Sequence, residues 1–244
     1  MSLDSFDTLL SPEAIGDSPM VQLFGGPVVV LPCGRRLVVP EGSKRLLVLV
    51  ALRRGRVERR YAAGTLWPIG DDDRAAGNLR SALWRLNRAG IHVLDANKHS
   101  LALCPDVVVD LHVINAWAAR LISGRPGVAD LAVIPNNPHE LDLLPGCYDD
   151  WVLLERERMR QRLLHGLEAL SRYLREAGRY AQAVESAMLA VNAEPLRESA
   201  QRELLEAHLA EGNWEEGRRG YEAYRELVRR ELGVSPGPEL TALL

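Results

Sequence analysis

From residue 19 to residue 40 the chain alternates between short apolar runs and turn-forming residues, a pattern that predicts small β-strands. Three runs rich in Val and Leu lie at residues 21–25, 27–31 and 35–40, separated by Gly-Gly and Pro-Cys-Gly. We therefore predict an antiparallel meander. Residues 1–18 come before it. They are polar, acidic and unpatterned, and we interpret them as a flexible tail.

The periodicity then changes to that of helices. Ser43 is a suitable N-cap for a first helix with the sequence KRLLVLVALRR. A second helix is expected from Arg59 to Leu66 and a third over residues 74–89. Residues 91–104 predict a β-hairpin around the turn ANKH, and the run DVVVD closes the unit. Helix, loop, helix and hairpin in this order are the outline of a winged helix-turn-helix.

The rest of the chain is mostly helical and contains a repeat. Leu111, Ile114, Ala118 and Leu121 form one amphipathic stripe, and a Gly- and Pro-rich connection follows over residues 123–147. A shift of 34 residues places REAGRYAQAVESAMLAV on LAEGNWEEGRRGYEAYR, so that a small-residue turn and an aromatic residue coincide. This is the tetratricopeptide period, in which helical hairpins bury their faces by stacking on their neighbours.

We therefore predict a mainly α-helical fold with a small β part. A length of 244 residues is ample for two domains. The expected segments are a flexible tail at 1–18, a winged-helix domain at 19–110 and an all-α, tetratricopeptide-like domain at 111–244.

Charge is distributed unevenly, although the formal net charge of the chain is only −3. Residues 19–115 contain 14 Lys and Arg against 8 Asp and Glu, whereas residues 116–244 contain 16 against 21. A basic half of this kind favours a polyanionic partner. The third predicted helix is the most one-sided part, because residues 74–90 hold four arginines and no acidic residue.

That helix has an apolar face and a basic face. At about 100° per residue, one side collects the apolar residues Ala75, Leu79, Ala82, Leu83 and Leu86. The other side and its flank carry Arg74, Asn78, Ser81, Trp84, Arg85 and Arg88. Arginine bonds guanine and phosphate, Asn and Ser supply shorter bonds, and an exposed tryptophan calls for a partner. We predict that this face binds double-stranded DNA.

Further DNA contacts are expected beside this helix. Lys98 and His99 lie at the tip of the predicted wing, where a cation can reach the minor groove or a phosphate. Lys44 and Arg45 start the first helix and are candidate phosphate contacts. Other candidates surround the junction of the first two helices: Arg53, Arg54, Arg56, Arg59 and Arg60.

Four stretches of the chain resemble the bacterial antibiotic-regulatory activators (SARP family), in which an OmpR-like winged helix precedes a bacterial transcriptional activation domain of tetratricopeptide type. These stretches are KRLLVLVAL, LWPIGDDDRAAGNLRSALWRLNRAG, LLPGCYDDWVLLERERMR and the run from Gly178 to Leu240. Together they cover most of residues 20–240.

The resemblance implies a transcriptional activator that binds direct repeats upstream of a promoter, usually as a side-by-side homodimer, and recruits RNA polymerase. By analogy the recognition helix is 74–89 and the wing is 96–100. The polymerase-facing loop would be Trp67–Asp73, with Trp67, Ile69, Asp71, Asp72 and Asp73 as its contact residues.

Other classes of function find little support. No HExxH, GxSxG, P-loop or GxGxxG pattern occurs, so we expect neither an enzyme nor a cofactor. Three scattered cysteines predict reduced, mostly buried thiols and no metal site. Without a secretion signal or a long apolar run, the chain is expected in the cytoplasm with no membrane partner. One alternative stays open: a tetratricopeptide-type scaffold whose winged helix contacts only proteins.

Overall fold

The computed structural model describes residues 6–11, 16–135 and 142–244. The three N-terminal strands and one later strand form a four-stranded sheet. The strands are β1 (Met20–Gln22), β2 (Val28–Val30), β3 (Arg36–Val38), β4 (Val57–Glu58), β5 (Leu94–Ala96), β6 (Ser100–Leu103) and β7 (Val108–Val109). β1, β2 and β3 pair as the predicted antiparallel meander, with Val21 opposite Val29 and Val29 opposite Leu37. β7 adds to the free side of β1 in parallel, a pairing that the sequence did not indicate.

A second sheet has the order β4-β6-β5 and contains the predicted hairpin. Its turn is closed by Asn97, whose Oδ1 accepts hydrogen bonds from the backbone N–H groups of His99 (2.8 Å) and Ser100 (2.9 Å). Such a side-chain bond to the backbone two and three residues on is a known way of fixing a turn. The wing tip is therefore held in one conformation by its own sequence.

The helices confirm the mainly α-helical fold expected from the sequence. They are α1 (Phe6–Leu9), α2 (Glu41–Leu52), α3 (Arg59–Leu66), α4 (Asp72–Arg88), α5 (Asp110–Ile122), α6 (Asp150–Glu176), α7 (Tyr180–Ala193), α8 (Glu198–Glu211), α9 (Trp214–Leu232) and α10 (Pro238–Thr241). One detail is wrong: Ser43 does not cap α2, which begins at Glu41 after Pro40. Ser43 is instead buried, and its hydroxyl donates to the Ala82 carbonyl in α4 at 2.8 Å.

Contacts divide the chain into two units, and the first consists of Leu10–Val113 and Asp142–Arg156. The second of these segments is tied to the sheet by the backbone, since Leu144 N donates to Leu23 O at 3.1 Å and Gly25 N donates to Asp142 O. Arg156 holds the same segment by donating to three backbone carbonyls within it. The winged helix and residues 142–156 thus form one packed body.

The second unit consists of Met1–Leu9, Ile114–Leu141 and Glu157–Leu244. The 34-residue repeat appears as two helical hairpins. Gly178 and Gly212 both have positive φ, at +72° and +88°, and each lies two residues before the first residue of the next helix, Tyr180 or Trp214. A left-handed backbone at this turn favours glycine, which explains why the repeat keeps it. Buried carboxylates then join successive hairpins: Glu203 pairs with Arg172, and Glu168 pairs with Arg197.

Part of the segment interpreted as a tail is folded. Phe6 in α1 is buried, and its ring makes an edge-to-face contact with Trp117, with centroids 5.4 Å apart. The predicted irregular connection contains a 3₁₀ helix at Val128–Ala132, and the Asp130 carboxylate there accepts two hydrogen bonds from Arg120. Aromatic packing and a bidentate ion pair therefore order residues whose composition suggested loops.

The domain limits at 18/19 and 110/111 stay predictions, because the contact units divide the chain differently. In the described part, no helix combines the length and the apolar character needed to span a bilayer. The three cysteines are unpaired. Cys33 is exposed, while Cys104 and Cys147 are half-buried, so the thiols are less buried than expected. Burial raises the pKa of both half-buried thiols, which favours their inert, protonated form.

Candidate nucleic-acid interface

α3, the loop 67–71 and α4 form the predicted helix-turn-helix. α4 starts with an N-cap from Asp71, whose side chain accepts from Arg74 N at 2.7 Å. Its inner face is anchored by four buried residues at helical spacing, Ala75, Leu79, Ala82 and Leu86. The Ser43 hydroxyl fixes the same face to α2. The rotation of α4 about its axis is therefore set from inside, and so is the face that it turns to solvent.

The outer face carries the residues predicted to bind DNA. Arg74, Ser81, Trp84, Arg85 and Arg88 are exposed, and Asn78 is half-buried. The structure thus brings all six to one side of α4. Gly77 lies among them, so the backbone itself is accessible at the centre of this face. We call the surface formed by residues 74, 77, 78, 81, 84, 85 and 88 the basic face.

The electrostatics of the basic face follow from the order of charges along α4. The acidic Asp71–Asp73 stand at the N-terminus, where a negative charge complements the helix dipole. Arg85 and Arg88 stand in the last turn, where a positive charge does the same. Between these ends the helix has no acidic side chain to neutralise its arginines. The basic face is therefore open to an external anion.

Two of its arginines have neighbours on the protein. The Arg88 guanidinium lies over the Trp84 ring, with Cζ 5.1 Å from the centroid. Arg85 makes a long contact, 3.5 Å, with the carbonyl of Gly42. A cation over an aromatic face is a weak attraction at an exposed site, and a 3.5 Å hydrogen bond is weaker than a usual one. Both guanidinium groups can therefore still donate to a ligand.

The predicted wing tip lies near the N-terminal half of α4. Lys98 and His99 are exposed, and the His99 carbonyl accepts from Arg59 N at 2.9 Å. Between the wing tip, α3 and α4 is a cleft of about 810 Å³. The cleft is lined by the cationic side chains of Arg59, Arg60, Arg80 and Lys98, by His99, and by the acidic side chains of Glu58, Asp72 and Asp73. Arg80 lies on the flank of α4 and was not among the predicted contacts, although it stands one helical turn before Trp84.

Lys44 and Arg45 are less available than the sequence suggested. Arg45 donates two hydrogen bonds to the Asp149 carboxylate, one of them from Nε at 3.0 Å, and a third to the Leu66 carbonyl at 2.7 Å. Lys44 pairs with Glu41 at 2.6 Å. A DNA phosphate would have to compete with these bonds. The Asp149 partner is 104 residues away in the chain, so local sequence could not indicate it.

Among the arginines around the α2–α3 junction, several are also engaged. Arg56 donates to Asp95 and Ser100, and Arg53 donates to the Tyr61 hydroxyl at 2.7 Å. Arg60 pairs with Asp72, but both side chains are about four-fifths exposed, at 88% and 79%. An exposed pair of this kind contributes little and exchanges readily. Arg60 therefore remains available to a stronger anion.

The loop before α4 is prominent. Ile69 is 91% exposed, which is unusual for an isoleucine, while Trp67 is half-buried and caps the end of α3. Asp71 and Asp72 are occupied by the N-cap and by Arg60, and Asp73 is exposed. An exposed apolar residue beside carboxylates suits a protein partner.

No group of His, Cys, Asp and Glu within the described ranges is arranged to hold a metal ion.

Residues 140–244 match the family model of the bacterial transcriptional activator domain. No curated protein matches the chain in sequence.

A solved structure shows the same fold. It is Mycobacterium tuberculosis EmbR in complex with low affinity phosphopeptide, with a TM-score of 0.66 at 19% identity. The match covers 93% of this chain and 64% of the EmbR chain, so the chain spans less than two thirds of that protein's length. The resemblance stated from the sequence is confirmed for the activation domain and for the fold: residues 140–244 match the bacterial transcriptional activator domain, and 93% of the chain aligns with the fold of EmbR.

Proposed function

We propose that the chain is a sequence-specific transcriptional activator that binds promoter direct repeats through its winged helix and recruits RNA polymerase. The observation that carries the proposal is the basic face of α4: exposed arginines, no acidic residue in the helix after Asp73, and an inner face anchored by buried residues. An α-helix of this kind fits the major groove, where arginine reads guanine and bonds phosphate. The activator domain at residues 140–244 supplies the link to transcription.

Within this proposal the side chains divide by task. Arg85 and Arg88 lie on the exposed side of α4 in its last turn and are assigned to base edges, together with Asn78 and Ser81. Arg74, Arg80, Lys98 and His99 flank them and are assigned to phosphates. Lys98 lies on a wing whose turn is fixed by Asn97, so the backbone that carries it needs little ordering when DNA binds.

The loop of Trp67, Ile69 and Asp71–Asp73 is proposed as the polymerase contact. Ile69 offers exposed apolar area that suits a protein partner. Asp73 carries an exposed negative charge, which disfavours DNA because phosphates repel carboxylates. Binding to direct repeats as a homodimer belongs to the same proposal. A scaffold that uses the winged helix only for protein contacts has no need of the basic face.

The test is selection of DNA fragments by the purified protein at near-physiological salt, followed by titration of the selected fragment and a scrambled one. We expect a direct-repeat motif. Arg85→Ala combined with Arg88→Ala should lower the affinity for the motif about 100-fold or more, since each bidentate base contact contributes roughly 1–3 kcal/mol. The scrambled fragment should lose far less affinity.

The matched control is Arg225→Ala with Arg229→Ala, which removes the same charge from the exposed side of α9. It should leave the motif preference intact. Equal losses on the two fragments would make Arg85 and Arg88 phosphate anchors rather than base readers, and the salt slope would then fall by about 0.9 for each phosphate that is no longer neutralised. Failure to select any motif would reject the proposal and favour the scaffold. Where a motif is selected, adding the chain to RNA polymerase on a promoter that carries this motif should raise the transcript yield.

A further inference from the structure

Trp84 is an apolar side chain in the middle of the basic face. The residue is 57% exposed. One helical turn before it stand Arg80 and Ser81, and one turn after it stands Arg88. Gly77, two turns before Trp84, adds no side chain to the same surface. An indole exposed among cations on a helix that faces a partner is positioned to touch that partner.

The Trp84 ring is also restrained. Arg88 lies four residues later, and its Cζ is 5.1 Å from the ring centroid. A guanidinium above an aromatic ring is attracted by the ring quadrupole and favours one orientation of the indole. Arg88 lies over one face of the ring, while the residue as a whole remains more than half exposed. The apolar contact surface that is left is therefore biased toward one orientation before any ligand binds.

The major groove offers a matching group. The edges of the base pairs there carry hydrogen-bond donors and acceptors, and the apolar feature is the C5 methyl group of thymine. An indole ring has one N–H donor and otherwise presents apolar surface. We propose that Trp84 is a specificity-determining residue that packs against a thymine methyl group in each half-site, and that Arg88 positions its ring. This inference rests on the proposed function, because it assumes that the basic face enters the major groove.

The test removes the methyl group and nothing else. In the selected DNA fragment, each thymine is replaced in turn by deoxyuridine, and the dissociation constants are measured for the full chain. For the wild-type protein we expect one position in each half-site where deoxyuridine weakens binding about fourfold, the value for one buried methyl group. Trp84→Ala should bind the unmodified fragment roughly tenfold more weakly and should lose the sensitivity at that position. Trp84→Phe, which keeps an aromatic surface, should retain it.

Trp214→Ala is the matched control, because Trp214 is a similarly exposed tryptophan, at 63%, on α9. It should keep both the affinity and the deoxyuridine sensitivity of the wild type. Circular dichroism checks that every variant is folded. A motif whose binding is indifferent to deoxyuridine, or a Trp84→Ala protein that keeps the sensitivity, overturns the role of Trp84 and leaves the DNA-binding proposal standing. The absence of any selected motif overturns both.

Discussion

Asp110 is a carboxyl group with no access to water. Its oxygens accept three backbone hydrogen bonds, from Leu23 N at 2.8 Å, Phe24 N at 3.0 Å and Leu111 N at 2.6 Å, and so join the end of β1 to the start of α5. Burial nevertheless raises the pKa of Asp110 to about 7, because removing a carboxylate from water costs more than these bonds return. The stability of the first unit should therefore depend on pH.

The direction of this pH dependence follows from the pKa of Asp110 in the folded and the unfolded chain. A pKa of about 7 in the folded chain, against an ordinary value of 3.8, means that the folded state holds the proton more tightly. The contribution of Asp110 to the free energy of unfolding is then complete below about pH 4 and is lost as the pH rises through 7. We expect the difference in unfolding free energy between the wild type and Asp110→Asn to fall by roughly a few kcal/mol over this range.

Urea unfolding at several pH values measures that difference. Asn has nearly the same shape and no charge, so it removes the titration while keeping an acceptor for the β1 amides. A difference that does not change with pH would show that Asp110 keeps its ordinary pKa. A difference that grows with pH would show that the three amide donors outweigh burial.

At the scale of an element, α4 contains a glycine that packing does not explain. A Cβ atom on Gly77 would meet only the end of the Arg80 side chain, at 3.7 Å. Glycine inside a helix costs about 0.5–1 kcal/mol relative to alanine. The room available for a side chain is on the basic face, where the proposed DNA contact would bring the DNA backbone close to Gly77.

Gly77→Ala should therefore raise the free energy of unfolding by about 0.5–1 kcal/mol and at the same time weaken DNA binding. Gly220→Ala is the control, since Gly220 lies inside α9 with nothing within 4 Å of its would-be Cβ. The control should gain the same stability without any change in DNA affinity. If Gly77→Ala binds DNA as well as the wild type, the glycine has no role in the interface.

Most elements of the fold could be predicted from local sequence, because each has its own periodicity and its own turn residues. α3 has the predicted limits, Arg59–Leu66, and the inner residues of α4 are those at helical spacing from Leu79. What could not be predicted depends on distant partners. The parallel pairing of β7 with β1 joins residues 88 positions apart, as in Met20 with Val108. Ser43 looked like a cap because its acceptor, Ala82, is in another helix.

The candidate site also has features that local sequence could predict and features that depend on distant partners. The spacing of residues on α4 was sufficient to predict the basic face. The competing partners of Lys44 and Arg45 were not predictable, because an ion pair depends on three-dimensional proximity. The contact between Arg88 and Trp84 was available from their four-residue spacing. Arg80 was overlooked since it lies at the edge of the face, and only the position of the wing shows what it adjoins.

At the scale of the whole molecule, residues 142–156 pack with the winged helix although the family match at 140–244 includes them. Asp149 is a main connection, through its two bonds to Arg45. Asp149→Ala should lower the free energy of unfolding by about 1 kcal/mol or more, because a bidentate and partly buried pair is worth more than a surface pair.

Glu222→Ala breaks an exposed i, i+3 pair with Arg225 on α9 and should change the stability by less than about 0.5 kcal/mol. Thermal or urea unfolding of both variants supplies the comparison. Equal, small effects would show that the Arg45–Asp149 pair does not hold the segment in place.

The packing of residues 142–156 has a consequence for gene fusions and for the exchange of modules between regulators. A hybrid that takes only residues 1–113 from this chain would carry the whole helix-turn-helix and wing, yet Arg45 would lose its carboxylate and the Leu23 carbonyl its amide donor. A winged-helix module that is transferred to another protein, by engineering or by natural recombination, should therefore include the segment up to Arg156.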